Sequence, residues 1–159
     1  MSAGATPEQR LAALGLTVPP APGAVAAYEP WARTGDLVLT SFQLPWCDGA
    51  LLLTGPCGPG GHTAEQGYDA ARQCALNGIA QLRDAADGDL SRVTRILRLE
   101  GHVFASPGFA EIPSVLNGAS ELINAVFAEA GRHSRTALGH QVMPLDATVM
   151  IGFWAEVAR

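Results

Sequence analysis

The sequence predicts an α+β fold, a two-layer sandwich in which two long helices cover one face of one mixed sheet. Two segments show apolar residues at helical spacing, and five others are rich in the residues that favour strands. Their order along the chain is strand, strand, helix, strand, helix, strand, strand. A single sheet covered on one side by both helices is the simplest arrangement of these elements.

The composition is that of one folded domain without a nucleic-acid surface. Of the 159 residues, 48% are apolar and 16% are charged, and the net charge is −5. All ten basic residues are Arg and they are scattered, whereas nucleic-acid affinity depends on clustered cations. The absence of Lys also excludes a Schiff-base lysine and a P-loop lysine. We therefore expect no nucleic-acid partner.

Neither a membrane span nor a metal site is predicted. No apolar run approaches the roughly 18 residues of a spanning helix, and no signal-peptide pattern opens the chain. We therefore expect a cytoplasmic protein without a membrane partner. Cys47, Cys57 and Cys74 include no CxxC pair, and the four His residues show no HxxxH spacing. This spacing favours neither a disulfide framework nor a metal centre.

The first part of the chain is predicted to hold a helix and an extended arm. The helix runs from Pro7 to Leu14, and the Pro- and Ala-rich segment Val18 to Ala24 follows as an arm that lies on the body. We therefore divide the chain into an N-terminal helix and arm, residues 1–24, and an α+β domain, residues 25–159.

Short elements come before the first long helix. We expect a turn at Ala32–Gly35, a buried strand at Asp36–Ser41 and a second short strand at Leu51–Thr54. The segment Gly55–Gly61 contains four Gly and two Pro, and we expect it to form a loop.

The two long helices carry the clearest signals. The first opens at Thr63, where Thr63 and Gln66 have capping-box spacing. Apolar residues then recur at helical period as far as Leu82. The segment Val93–Phe104 is predicted as a long strand, and Ile112–Phe127 as the second amphipathic helix.

Two strands complete the predicted sheet, Arg135–Val142 and Thr148–Val157. Because the helices cover only one sheet face, we expect the other face to need protection from water. Self-association is the simple means of covering it. The side chains assigned to this second face are Leu138, Val149, Ile151 and Phe153.

Three stretches of the chain resemble the RidA (YjgF) family. The stretch AVAAYEPWARTGDLVLTSFQLP, residues 24–45, is similar to the family's opening, and an amphipathic helix comparable to Thr63–Leu82 follows it. The stretch SRTALGHQVMPLDATVMI, residues 134–151, is similar to the C-terminal signature, and the neighbouring residues suggest a longer branch of the family. The resemblance implies a chorismate-mutase-like fold and a homotrimer with pockets between its subunits.

The same resemblance implies a set of ligand-binding residues. Arg135 matches the family's substrate-binding arginine, and Tyr28 matches its pocket tyrosine. Ser41 matches the serine of a Ser-Gly-Gln segment, and Asn117 is aligned with a pocket asparagine across a gap of about one helical turn. Because guanidinium binds a carboxylate through two parallel hydrogen bonds, the expected ligand is a small carboxylate held at Arg135.

The sequence departs from the family's deaminases at two positions near this expected pocket. Met150 stands where they carry a water-positioning Glu, and Ala137 replaces a common Cys. A thioether is a weak acceptor, so Met150 cannot activate water, and the catalytic group stays unassigned. The other candidates for that role are Glu100, Glu111, Glu121 and His133, the last because imidazole titrates near neutral pH.

Two functions remain open from the sequence. The resemblance implies hydrolytic deamination of imine or enamine carboxylates without a metal or organic cofactor. The alternative, which the Met150 substitution favours, is a ligand-binding or interaction trimer without turnover. A ribonuclease activity is disfavoured by the acidic charge.

Overall fold

The computed structural model describes residues 4–159, which form three α-helices and seven strands. The helices are α1 (Pro7–Ala13), α2 (Ala64–Ala85) and α3 (Ile112–Phe127). The strands are β1 (Trp31–Thr34), β2 (Leu37–Thr40), β3 (Trp46–Cys47), β4 (Ala50–Leu51), β5 (Val93–Phe104), β6 (Ser134–His140) and β7 (Val149–Val157).

Five of the strands form one mixed sheet in the order β1-β2-β7-β5-β6. Strands β5 and β6 run parallel, and every other neighbouring pair in this sheet runs antiparallel. Helix α3 lies between β5 and β6 in the chain, as a parallel pair requires a crossover connection. The predicted mixed sheet is confirmed, and β6 is one of its edges.

Both long helices pack on the same face of this sheet, as predicted. Helix α2 begins with the expected capping box, in which Thr63 and Gln66 each satisfy a backbone N–H of the other. Beneath the helices, Ile151 and Phe153 of β7 are fully buried. Burial of one such side chain stabilises the fold by roughly 1.5–3 kcal/mol. At Gly78 of α2 a Cβ atom would collide with the Phe153 ring, so the absence of a side chain allows the helix to sit close to the sheet.

The short N-terminal elements differ from those predicted. The expected turn at Ala32–Gly35 is wrong, because β1 pairs with β2 there and the turn is formed by Gly35 and Asp36. The predicted strand Leu51–Thr54 is also shifted, because a hairpin pairs β3 with β4 across Asp48 and Gly49. Both of these turn residues have positive φ, 50° and 83°, as a type I′ turn requires. Strand β2 is only half-buried apart from Val38.

The assignment of residues to the uncovered sheet face was partly wrong. Val149, Ile151 and Phe153 are fully buried under the helices. They share this face because alternate residues of a strand point to the same side of the sheet. Leu138 does lie on the uncovered face and is 48% exposed. That face also carries the exposed Trp154.

The N-terminal segment lies against the domain. The Arg10 guanidinium of α1 donates to the Val126 carbonyl of α3 over 3.2 Å. The arm crosses α2, where the Gln81 amide donates to the Pro22 carbonyl over 2.7 Å. The proposed division at residue 24 stays a prediction, and residues 1–3 lie outside the described part of the chain. Within residues 4–159, the helices are too short or too polar to cross a membrane.

Candidate functional site

A polar cluster lies where the edge strand β6 meets helix α3. The apolar stripe of α3 packs on the sheet, which turns the flank bearing Pro113, Asn117 and Ser120 towards β6. These positions are spaced i, i+4 and i+7, so they follow one another along one side of a helix. The side chain of Arg135 points from β6 towards this flank and is half-buried.

Within the described residues, the Arg135 guanidinium is held by neutral acceptors alone. Its Nη1 donates to Asn117 Oδ1 over 2.9 Å and to Ser120 Oγ over 3.2 Å. Its Nη2 makes one longer contact, 3.4 Å, to the Pro113 carbonyl. Among residues 4–159 no carboxylate lies within ion-pair distance of Arg135, and no acceptor is bonded to its Nε. The Nε–Nη2 edge is therefore available for an anion that binds with two parallel hydrogen bonds.

His133 completes the cluster through Ser120. Its Nδ1 lies 2.6 Å from the Gly131 carbonyl, and a carbonyl can only accept, so Nδ1 carries the proton. In the neutral ring Nε2 is then an acceptor, and the Ser120 hydroxyl, 3.0 Å away, donates to it. Burial lowers the pKa of His133 below its ordinary 6.5; the Gly131 carbonyl acts in the opposite direction, and the Arg135 charge lowers the pKa further.

Two other residues matched to the family's pocket lie at the opposite edge of the sheet. Tyr28 comes just before β1 and is 43% exposed. Ser41 directly follows β2, and its hydroxyl donates to the Glu29 carbonyl over 2.7 Å. Three strands, β2, β7 and β5, separate β1 from β6. Within one chain, Tyr28 and Ser41 therefore do not meet Arg135.

The remaining two predicted pocket residues lie on different faces of the sheet. Ala137 follows Arg135 by two residues on β6 and is partly buried against the core. Met150 lies opposite His102 on the uncovered face and is half-buried. The sheet therefore separates the Met150 thioether from the Arg135 guanidinium.

None of the three glutamates named as candidates contacts Arg135. Glu100 pairs with Arg98, its carboxylate accepting from Nε over 3.2 Å. Glu121 accepts a 2.6 Å hydrogen bond from the Tyr68 hydroxyl, and this bond raises the pKa of Tyr68. Glu111 is exposed immediately before α3. Of the four candidates, only His133 lies in the cluster.

Ser120 and a histidine pair on the uncovered face were not predicted. The spacing of Ser120 from Asn117 and Leu116 would have placed it beside the predicted asparagine once α3 was assigned. On the other sheet face His102 and His140 approach to 2.7 Å between ring nitrogens, and Phe42 packs edge-on against His102. This pairing depends on the parallel register of β5 and β6, which the sequence does not reveal.

Two cavities of this chain lie away from Arg135. One, of about 530 Å³, lies at the start of α2 beside His62 and Phe109. The other, of about 480 Å³, lies between the arm and the β3–β4 hairpin, with Trp46 and Asn77 in its wall. Arg135 lines neither of them.

Comparison with known proteins decides the family. Residues 8–157 match the model of the family described as "YjgF/chorismate_mutase-like, putative endoribonuclease". The chain belongs to the RidA/YjgF family. The family and the chorismate-mutase-like fold expected from the sequence are therefore both confirmed.

Two individual proteins are similar to this RidA/YjgF-family chain over nearly its whole length. Protein TCP17 of Trypanosoma cruzi is 39% identical over 145 residues, which are 91% of this chain and 89% of that protein. A crystal structure from Shewanella oneidensis, described as "a putative endoribonuclease", is 42% identical and has a TM-score of 0.92. The alignment covers 96% of this chain and all of that one, 100%.

A RidA structure of lower sequence identity has a similar fold. RidA from a Psychrobacter species of Antarctic origin is 23% identical and has a TM-score of 0.59. The alignment covers 86% of this chain and 94% of that one. At this level of identity the likeness concerns the fold alone.

Proposed function

We propose that this RidA/YjgF-family chain binds a small carboxylate at Arg135 and hydrolyses the imine or enamine that the same molecule carries. The observation that supports the binding step is the arrangement of the guanidinium. It is half-buried, and among residues 4–159 it is bonded only to neutral acceptors, none of them on Nε. A cation in such surroundings gains most from an anion that binds with two hydrogen bonds.

Asn117 and Ser120 fix the orientation of the guanidinium before a ligand arrives. Both accept from the same nitrogen, Nη1, and so leave the opposite edge free. An arginine that is already oriented loses less conformational entropy on binding than a mobile one. A planar carboxylate on that edge would direct its neighbouring carbon away from Nη1, and so away from Asn117 and Ser120.

The proposed assembly is a homotrimer in which a neighbouring copy closes the site. Tyr28 and Ser41 lie at the edge of the sheet opposite Arg135, so a second copy is needed to bring them to it. In this arrangement the Tyr28 hydroxyl would donate to the bound carboxylate or to the attacking water. The exposed Leu138 and Trp154 would also be covered by self-association.

A second candidate function is ligand binding without turnover. It is favoured by Met150, whose thioether is a weak acceptor and which lies on the uncovered face rather than beside Arg135. In that case the trimer would act as a binding or interaction module, and the proposed location in either case is the cytoplasm. No resident cofactor is needed by either function.

Calorimetric titration with 2-oxobutanoate tests the binding step. We expect Arg135→Ala to weaken binding by at least about 100-fold, and Arg135→Lys to restore only part of the loss, because an ammonium lacks the planar pair of donors. Arg132→Ala is the matched control, since Arg132 lies on the neighbouring turn and its side chain is 73% exposed. Equal binding by the wild type and Arg135→Ala would contradict the proposal.

Ammonia release then separates the two candidate functions. The substrate is 2-iminobutanoate, generated freshly in the assay, and spontaneous hydrolysis is subtracted. Release above the spontaneous rate that is lost in Arg135→Ala supports the hydrolase. Normal binding of 2-oxobutanoate without any accelerated release supports the binding module.

A further inference from the structure

We propose that His102 and His140 make the self-association of this chain sensitive to pH, so that copies associate at neutral pH and separate into folded subunits in acid. The proposal rests on the homotrimer of the proposed function and concerns the uncovered sheet face, through which the copies would meet. It gives a role to two histidines that carboxylate binding at Arg135 does not use.

The two imidazole rings lie in direct contact on this face. Nδ1 of His102, on β5, lies 2.7 Å from Nε2 of His140, on β6. The rings are stacked at 29°, with their centroids 4.9 Å apart. At this distance one nitrogen carries a proton and the other accepts it in a hydrogen bond. Protonation of both rings would instead bring two N–H groups and two positive charges together, so the pair resists a second charge.

The Phe42 ring holds this pair and partly covers it. It meets the His102 ring edge-on, at 88° and with centroids 4.8 Å apart. The phenyl ring can lie this close to the sheet because Gly152 has no side chain, and a Cβ atom there would come within 3.1 Å of it. Both histidines are half-buried in the single chain. A copy packed on this face would remove more of their water, which disfavours the charged form of imidazole.

A second copy of the chain is the occupant that this face fits. Leu138, which pairs with His102 across β5 and β6, is 48% exposed, and Trp154 is 39% exposed. Covering them removes apolar surface from water. Arg98 and Glu100, on the same face, are bonded to each other over 3.2 Å and so balance each other's charge. A second copy is also what the separated halves of the proposed site require.

The groups around His102 favour its neutral form. Burial lowers its pKa below the ordinary 6.5, and the charge of His140 lowers it further, whereas Glu100 acts in the opposite direction. From β7, Met150 and Gly152 face this part of β5, and neither carries a charge. The phenyl ring that packs on His102 is uncharged as well. The second imidazole is therefore the cation that opposes protonation of the first.

The sign of the pH effect follows from this loss of water. Because association buries the pair further, free subunits bind protons more readily than associated ones. The contribution to association is thus fully present above pH 6.5 and is lost as the pH falls below it. Each proton taken up on dissociation raises the dissociation constant by up to about tenfold per pH unit. Three pairs, one in each subunit, would raise it by up to about 1,000-fold per pH unit.

Sedimentation velocity of the full-length chain at pH 7.5 and 5.5 tests the switch, with circular dichroism as a check of the fold. At a concentration just above the dissociation constant for pH 7.5, we expect the wild type to be trimeric at pH 7.5 and mostly a folded monomer at pH 5.5. His102→Gln and His140→Gln each leave one titratable ring, so most of the trimer should persist at pH 5.5. His62→Gln, at the start of α2, is the matched control and should dissociate like the wild type.

Titration of the imidazole protons by NMR provides a second readout. The pair should titrate in two separate steps in the wild type, and the remaining ring in one step in His140→Gln. A wild type that stays trimeric at pH 5.5, or that dissociates no more than the two variants, would overturn the switch and leave carboxylate binding intact. A wild type that is monomeric at pH 7.5 would overturn the proposed homotrimer itself.

Discussion

Arg135 Nη1 donates to Asn117 Oδ1 over 2.9 Å, linking the edge strand β6 to helix α3 across 18 residues of sequence. The amide oxygen satisfies one nitrogen of the guanidinium without neutralising its charge. This is the difference between an arginine that serves only as a structural ion pair and one that can still attract an anion. The contact also places Asn117, which was aligned only across a gap, beside the arginine.

Asn117→Asp should weaken anion binding while preserving the fold. The substitution is nearly isosteric, but it puts a carboxylate at hydrogen-bond distance from Arg135 Nη1. The new ion pair would compete with the ligand for the same charge and should weaken 2-oxobutanoate binding by at least about tenfold, or about 1.4 kcal/mol. Calorimetry measures the affinity, and thermal unfolding checks the fold.

Asn117→Ala is the companion variant, because it removes the acceptor without adding charge. It should weaken binding less than Asn117→Asp, through looser positioning of the guanidinium. If both substitutions weaken binding equally, charge compensation at Arg135 is not what controls the affinity.

The three cysteines should react with a thiol reagent at very different rates. Burial raises the pKa of Cys57 to about 11, and burial raises the pKa of Cys74 well above its ordinary value. Cys47 is half-buried beside the β3–β4 turn. Ellman's reagent should therefore titrate one thiol quickly in the native protein and all three after denaturation. Two or more fast thiols in the native protein would show that the core around α2 opens.

His133 should make the fold less stable as the solution becomes acidic. Its pKa is lowered in the folded chain, first by burial, so the unfolded chain takes up a proton more readily. The contribution of His133 to the free energy of unfolding is thus fully present above pH 6.5. It is lost as the pH falls through 6.5 towards the lowered pKa of the folded chain. Each unit of pKa difference corresponds to about 1.4 kcal/mol.

Urea unfolding at pH 7.5 and 5.5 measures this effect in the wild type and in His133→Gln. The variant should lose less stability between the two values. The variant will retain the loss of stability that comes from His102, because burial also lowers the pKa of that residue. An identical loss in both proteins would show that His133 is not linked to folding.

Gly118→Ala should destabilise the contact between the two long helices. A Cβ atom at this position of α3 would collide with the Tyr68 carbonyl of α2, and a backbone group cannot rotate away. We expect a loss of about 1–3 kcal/mol in the free energy of unfolding. Alanine in a helix is otherwise about 1 kcal/mol more favourable than glycine. A gain in stability would therefore contradict the predicted collision. Gly23→Ala, with no atom within 4 Å of the added carbon, is the control.

The sequence was most informative where the pattern was long and local. Val93–Phe104 and Ile112–Phe127 were predicted with the bounds that the structure shows, because a dozen or more periodic residues define each of them. The short hairpin at Trp46–Leu51 was missed, although Asp48-Gly49 is a strong turn signal, because each of its strands has only two residues.

The site was predicted less completely than the fold. Arg135 was found through family resemblance, but its bond to Ser120 depends on how α3 is rotated on the sheet. The prediction placed Ile151 and Phe153 on the wrong face of the sheet. Both alternating sets of residues in β7, including the set that contains Gly152, are largely apolar or small. Alternation alone could not show which set faces the helices.

A crystal structure of the protein saturated with 2-oxobutanoate would show whether Arg135 holds the carboxylate. We expect a carboxylate bonded to Nε and Nη2 of Arg135, with Nη1 still bonded to Asn117 and Ser120. An acidic side chain of a neighbouring copy on that guanidinium edge, with no ligand there, would contradict it.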